Sequence, residues 1–315
     1  MSPVDFIKRL FSSINLGIYR YTYVENLKRE VEAYKIENHN LYKDASFQHN
    51  FSHLSERMDT LYIEIIKHQI TSRWSLYDHL TNLFEGDYPI KIRCCPICNF
   101  KGNSNSFVEY ISHCIFGGGK LTRYQCPECD AIFGPDKMLT LSPEMLSEEY
   151  TWHYRVFSEG DSTELEKKAF YAMNPNPEGL YLNWGSGTWS NTLQQLRAEG
   201  WNIYGYEPHS SSVGQPEYHI NDFKVLSKMS FDGIFSNNVL EHLLNPIEDI
   251  KTMKKLLKPG GMLLHATPCF EYLYEFTRFH LVFFLGRSRE ILADRTNMKL
   301  EKYFRDGQFM YILLR

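Results

Sequence analysis

Hydrophobic positions change their spacing along the chain, and each change predicts a different kind of element. In the first twenty residues Val4, Ile7, Leu10, Phe11, Ile14 and Ile18 fall near one helical face, as in an amphipathic helix. From Tyr23 to about Gln69 the helical period continues. Val24, Leu27, Val31 and Tyr34 recur at coiled-coil spacing, and so do Phe47, Phe51, Leu54, Met58, Leu61 and Ile65 after a polar break at Glu37 to Lys43. The register shifts by one between the two runs, so a self-associating arm and a hairpin folded back on the rest of the chain both fit. Past Gly86 to Pro89 the helical period gives way to short runs with glycine turns. Residues 142–170 then predict two helices, the second opened by a capping box of Thr163 with Glu166.

From residue 179 onward short apolar runs alternate with amphipathic helices. The runs are Leu180 to Leu182, a stretch ending at Glu207, Tyr218 to Ile220, Phe231 to Ser236 and Met262 to Thr267. Helix Ile247 to Leu257 stops at Pro259-Gly260-Gly261, and a helix from Ser288 to Asp294 precedes two β-rich runs, Met298 to Phe304 and Phe309 to Leu314. Such alternation predicts a Rossmann-like α/β fold with a parallel sheet closed by an antiparallel hairpin. Three parts follow: a helical arm over 1–85, a small cysteine module over 86–140 and an α/β domain over 141–315.

Composition narrows the partners. With 43% apolar residues among 315 the chain has ample material for a core. A net charge of −4 offers no broad basic field for nucleic acid. No apolar run approaches the ~18 residues that span a bilayer. Residues 1–20 lack the pattern of a cleaved signal, since Asp5, Lys8 and Arg9 interrupt them, so the expected compartment is cytoplasmic. Contact of residues 4–18 with a membrane surface, Lys8 and Arg9 towards the headgroups, is set against simple packing on the protein itself.

Two Cys-x-x-Cys pairs, each with Pro after its first cysteine, read as a zinc ribbon in which Cys95, Cys98, Cys126 and Cys129 converge tetrahedrally on structural Zn²⁺. Cys94 is an alternative to Cys95, and Cys114 is assigned to the core. Gly117 to Gly119 supply the turn between the pairs. Two matched pairs favour a closed metal site over disulfide exchange.

The stretch GLYLNWGSGTWSNTLQQLRAEGWNIYGYEP, residues 179–208, describes a β-turn-α-β unit. Gly185, Ser186 and Gly187 let a backbone approach a nucleotide-like ligand, and the acid Glu207, about 20 residues on, suits paired ribose hydroxyls. Trp189 sets a bulky ring where a pyrophosphate would have to approach, which favours a ligand with a ribose and no pyrophosphate. S-adenosylmethionine (SAM) is the common one.

This stretch resembles motif I of class I SAM-dependent methyltransferases, and three later motifs extend the likeness. They are Phe231-Asp-Gly-Ile-Phe-Ser, Asn238-Val-Leu-Glu-His242 and Lys258-Pro-Gly-Gly-Met-Leu-Leu-His265. The branch resembled is the small-molecule and saccharide-modifying one, with a methyltransferase-11/23-like domain, and the likeness covers roughly residues 145–315. It implies a seven-stranded sheet and a cofactor site of Asn183, Gly185, Ser186, Gly187, Glu207, Asp222, Phe223, Asn237 and Asn238. Tyr154 would come from the helical segment that, with Tyr150 and His153, closes over the methionine end. Asn183 stands where the family has an acid, which deprives the cofactor's amino group of a charged partner. Asp222 equally suits a helix N-cap.

An oxygen acceptor gains from a base, and histidine is suited to that work. His242 and His280 are the catalytic candidates, while His265, within a strand, reads as structure. The aromatic stretch CFEYLYEFTRFHLVFF, residues 269–284, resembles the family's substrate-covering insert. The leading reading is O-methylation of a small molecule or saccharide, in glycan or secondary-metabolite synthesis. An RNA methyltransferase guided by the ribbon, with Lys91, Arg93, Lys101, Lys120 and Arg123 as contacts, is the alternative. A degraded SAM-fold interaction subunit, motivated by Asn183 and Trp189, is a third.

Overall fold

The structure is a computed structural model that describes Arg29 and residues 45–85, 92–157, 160–187, 190–209, 214 and 216–315. The expectations for residues 1–28, for the first coiled-coil run beyond Arg29, and for Trp189 and Lys91 lie outside the described residues. The chain groups into two compact units. One comprises Met1–Pro89, Cys114–Lys120 and Glu148–Ser158; the other comprises Ile90–His113, Leu121–Ser147 and Glu159–Arg315.

The first unit is built on helix α1, Ala45–Glu85. Its buried stripe is Ile66, Ile70 and Trp74, a spacing of four that keeps one face inward. Trp74 Nε1 donates to Glu149 Oε2 at 3.1 Å, and Arg73 pairs with the same carboxylate. Leu54, Leu61 and Ile65, positions of the second coiled-coil run, are exposed. His68 is exposed as well, beside Ser72. Among the described residues no helix is long and apolar enough to cross a membrane.

The four cysteines of the module fall in the second unit, and its elements follow in chain order. Strands β1 (Arg93–Cys94) and β2 (Lys101–Gly102) form an antiparallel pair. Strands β3 (Val108–His113), β4 (Lys120–Gln125) and β5 (Ile132–Phe133) follow, then the short helix α2 (Asp136–Leu139) and helix α3 (Pro143–Tyr154).

The α/β part begins with α4 (Thr163–Ala172), β6 (Leu180–Trp184), α5 (Asn191–Ala198) and β7 (Asn202–Tyr206). It continues through β8 (His219–Ile220), α6 (Phe223–Leu226), β9 (Phe231–Asn237), α7 (Pro246–Lys255) and β10 (Leu257–Ala266). Strand β11 (Val282–Phe283), helix α8 (Ser288–Arg295) and strands β12 (Leu300–Asp306) and β13 (Phe309–Leu314) complete it.

Seven strands form one sheet in the order β12-β13-β10-β9-β6-β7-β8. Strands β8, β7, β6, β9 and β10 run parallel, and β13 enters antiparallel to β10 and β12. The strand order reverses at β6–β9, the place where open α/β sheets form a crevice at their carboxyl ends. Ala169 and Phe170 of α4, with Met173 just past its end, share a core cluster with Tyr181, Phe235 and Leu264. Full burial of a side chain such as Phe170 contributes about 1.5–3 kcal/mol.

Three local expectations shift. Helix α4 does start at Thr163, but that backbone N–H is taken by Asp161 Oδ1 at 2.9 Å. Glu166 instead accepts from the Ser162 hydroxyl at 2.5 Å, and Ser162, at the N-cap, makes no side-chain bond to the helix backbone, so the box does not form. Strand β10 starts at Leu257 and carries Pro259-Gly260-Gly261 within it, its register shifting between Leu257 and Met262. The aromatic stretch is also more than a cover, because β11 pairs with β5 and joins the module's sheet, ordered β11-β5-β4-β3.

Candidate functional site

The glycine turn after β6 is shaped by its neighbours. Gly185 has φ +75°, and a Cβ there would lie 2.6 Å from Val239 Cγ2. Only glycine accepts both that conformation and that approach. The Gly185 and Ser186 amides both donate to Tyr206 O, at 2.8 and 3.2 Å. His219 Nε2 donates to Gly187 O at 2.8 Å and lies 3.4 Å from Ser186 Oγ. His219 thus braces the turn from β8, a role that no local sequence signal announces.

Asn183 is buried at the end of β6, and its Nδ2 donates to Glu166 Oε2 at 2.8 Å. A carboxylate therefore does stand at this strand tip, supplied by α4 rather than by the strand. Glu207 follows β7 and accepts from the His209 amide at 3.1 Å. Asp222 caps α6 by accepting from the Lys224 amide at 2.8 Å, and the exposed Phe223 ring lies 6.2 Å from that of Tyr206. Asn237, at the tip of β9, has a buried Nδ2 with no partner among the described residues. Asn238 takes a left-handed φ of +54°. Tyr154 belongs to the first unit, exposed and stacked on Tyr150, while His153 there is buried against Phe116.

The two candidate histidines meet, their ring centroids 5.0 Å apart. His242 closes a 3₁₀ turn, Leu240–His242, and its Nδ1 donates to Phe279 O at 3.1 Å. Because a carbonyl can only accept, the proton sits on Nδ1 and Nε2 keeps its lone pair. His280 Nδ1 lies 3.4 Å from Cys269 Sγ. Burial lowers the pKa of His242 to about 4, and burial with the nearby His242 and Arg123 lowers that of His280 well below its usual value. Both rings are neutral at neutral pH. Beside them Glu241 is buried, its Oε1 accepting from Thr267 Oγ1 at 2.6 Å. His265, by contrast, is sealed within β10 against Ser236 Oγ at 2.8 Å, and burial lowers its pKa to about 4.

What holds His280 is Arg123 of β4. This buried guanidinium donates to Glu275 O and Thr277 O at 2.7 Å and to His280 O at 3.2 Å. Two backbone bonds continue the link, Gly134 N to Leu281 O at 3.0 Å and Leu281 N to Glu241 O at 2.8 Å. The cysteine module is therefore part of the scaffold that carries both candidate histidines.

In that module the Cys95 and Cys129 sulfurs lie 3.6 Å apart and those of Cys98 and Cys126 lie 3.4 Å apart. All four lie within 4.8 Å of one another. A tetrahedral Zn²⁺ with bonds of about 2.3 Å separates its sulfurs by about 3.8 Å, so the set fits a zinc site. Burial and the nearby Cys95 push the Cys126 thiol up to about 12, and a hydrogen bond to the Cys129 sulfur, with burial, also raises Cys95. A divalent cation supplies the charge that lets such crowded thiols ionise. Cys94 is exposed and Cys114 buried, both outside the set.

The sheet order, the glycine turn and the acid tips together describe a crevice of the nucleotide-binding type. Residues 165–305 match the family model described as a methyltransferase domain. Residues 165–305 are a methyltransferase domain. Similar solved structures include the CcbJ methyltransferase from Streptomyces caelestis, at 14% identity over 50% of this chain and 92% of that one, TM-score 0.39. Another is the Burkholderia thailandensis 1,6-didemethyltoxoflavin-N1-methyltransferase with bound substrate and S-adenosylhomocysteine, at 12% identity over 60% of this chain and 95% of that one, TM-score 0.40. No curated protein matches the sequence.

The methyltransferase domain offers what such a cofactor requires. The turn at Gly185 has the close backbone approach, Glu207 is an acid at the next strand tip, and Asn237 has a buried amide to be satisfied. The cofactor supplies a methyl group on a sulfonium; the protein's part is to hold the acceptor in line and exclude water.

Proposed function

We propose that this protein transfers a methyl group from SAM to an oxygen of a small-molecule or saccharide acceptor. One observation carries the reading: two neutral imidazoles converge on the segment that packs against the glycine turn. Val239, which closes on Gly185, lies three residues before His242. Gly185, Ser186 and Gly187 cradle the cofactor, Glu207 takes its ribose hydroxyls, and Glu166, through Asn183, meets its amino end. Asp222 and Phe223 are assigned to the adenine, and Asn237 and Asn238 to the reacting end. Neutral His242 and His280 are suited to hold or accept the acceptor's proton. Tyr274 and Phe276, ring centroids 5.6 Å apart beside His280, give flat faces on which a sugar stacks.

Structural zinc at Cys95, Cys98, Cys126 and Cys129 belongs to the same reading. RNA is less well served, because Arg93 and Arg123, two of the basic residues that a guide role needs, are buried. Arg93 is engaged with Tyr124 and Asp136, and Arg123 with backbone carbonyls. Two measurements test the proposal. Calorimetry with S-adenosylhomocysteine should show binding, and a well-folded sample that fails to bind marks an interaction subunit instead. Labelled methyl groups should then pass to cell glycan precursors rather than to total RNA; label found only in RNA overturns the acceptor class.

A further inference from the structure

The histidine pair has a third member. One donor atom each from Glu241, His242 and His280 lies within 4.8 Å of the other two, a carboxylate and two imidazoles at one point. Two imidazoles and a carboxylate are the donor set of many divalent transition-metal sites, and neutral rings are the form that ligates.

The atoms behind these donors fit the same use. A ligating histidine usually gives its other N–H to a carbonyl or similar acceptor, which fixes the ring and its tautomer. His242 does so towards Phe279 O at 3.1 Å, leaving Nε2 with the lone pair. His280 sets Nδ1 3.4 Å from the Cys269 sulfur, which accepts from it in the tautomer that leaves Nε2 for a ligand. Glu241 is held at Oε1 by Thr267. Each of the three donors thus has its own orienting partner. The backbone also fixes their relation, since Leu281 N donates to Glu241 O one residue after His280. The Arg123 guanidinium behind His280 opposes a cation here, and the charge on Glu241 offsets it.

We propose that Glu241, His242 and His280 bind a divalent transition-metal ion, of the class of Zn²⁺, Fe²⁺ or Mn²⁺, that presents the acceptor oxygen. The inference deepens the methyl-transfer reading and rests on it for the role of the ion, but not for its binding. A bound ion stabilises the alkoxide form of a hydroxyl. Ligated rings cannot also take the acceptor's proton, so the ion replaces them in that role: the O–H bond breaks with its proton passing to water, the oxygen forms the new O–CH₃ bond, and the C–S electron pair returns to sulfur.

Cobalt is the probe, because Co²⁺ on thiolates shows an intense sulfur-to-metal charge-transfer band that Co²⁺ on imidazole and carboxylate lacks. Metal-stripped full-length chain titrated with Co²⁺ should take up two ions, one with that band and one with weak visible absorption only. Glu241→Gln and His280→Gln should each lose the second ion and keep the first. Thr267→Val, which leaves all three donors in place, should weaken the second by about 10–100-fold. A single ion in wild type, or a second ion that persists in both Glu241→Gln and His280→Gln, overturns the proposal. Binding of S-adenosylhomocysteine is followed in the same samples. Its presence with only one ion sinks the metal site alone, whereas its absence with two ions sinks the methyl-transfer reading and leaves the metal site standing.

Discussion

Asn183 stands where the motif it resembles carries an acid, and a neighbouring helix brings a carboxylate to it. Its amide takes the Glu166 carboxylate at 2.8 Å, so charge reaches the tip of β6 from the neighbouring helix. Glu166→Gln should weaken S-adenosylhomocysteine binding, and Asn183→Asp alone should lower the melting temperature by setting two carboxylates against each other. The double exchange should recover both, with a coupling of about 0.5–3 kcal/mol in a double-mutant cycle. Strictly additive effects on binding and stability would remove the idea. His265 makes a pH prediction. Burial holds its folded pKa near 4, below the ordinary 6.5, so the unfolded chain takes up the proton first. The stability is present above about pH 6.5 and lost as pH falls towards 4, a cost on the order of 3 kcal/mol at the low end. Melting temperatures across that window should fall in wild type and fall less steeply in His265→Gln.

At the scale of elements the decisive pairing is β5 with β11, which joins the cysteine module to the loop bearing His280. Loss of zinc, by chelation or by Cys126→Ser, should raise hydrogen exchange in residues 275–284 and abolish methyl transfer while leaving S-adenosylhomocysteine binding close to wild type. Unaltered exchange in that loop would show that the sheet holds without its metal. Helix α1 makes a different point. Its periodic apolar residues were legible, but which of them are buried was not. Trp74→Ala should cost about 3–5 kcal/mol, whereas Leu61→Glu should change stability by no more than about 0.5 kcal/mol. Light scattering on Leu54→Glu/Leu61→Glu tests the self-associating arm, and an unchanged oligomeric state removes this stripe as its surface.

At the scale of the whole molecule, the glycine turn and all seven strands of the sheet fall in the second unit. S-adenosylhomocysteine at one hundred times its Kd should stabilise that unit by about 2.7 kcal/mol. The added exchange protection should appear in residues 179–187 and 202–209; protection confined to residues 52–83 contradicts the assignment of the site. The sequence by itself determined the succession of strands and helices, the glycine turn and the four clustered cysteines. Those features rest on backbone conformation and on short, fixed spacings within one stretch of chain. Only the tertiary structure decided that Glu166 serves Asn183, that His219 braces Gly187, that Arg123 holds the His280 loop and that Glu241, His242 and His280 meet. Each of those contacts joins side chains whose separation along the chain carries no periodic signal, and packing of the sheet and its loops alone brings them within reach.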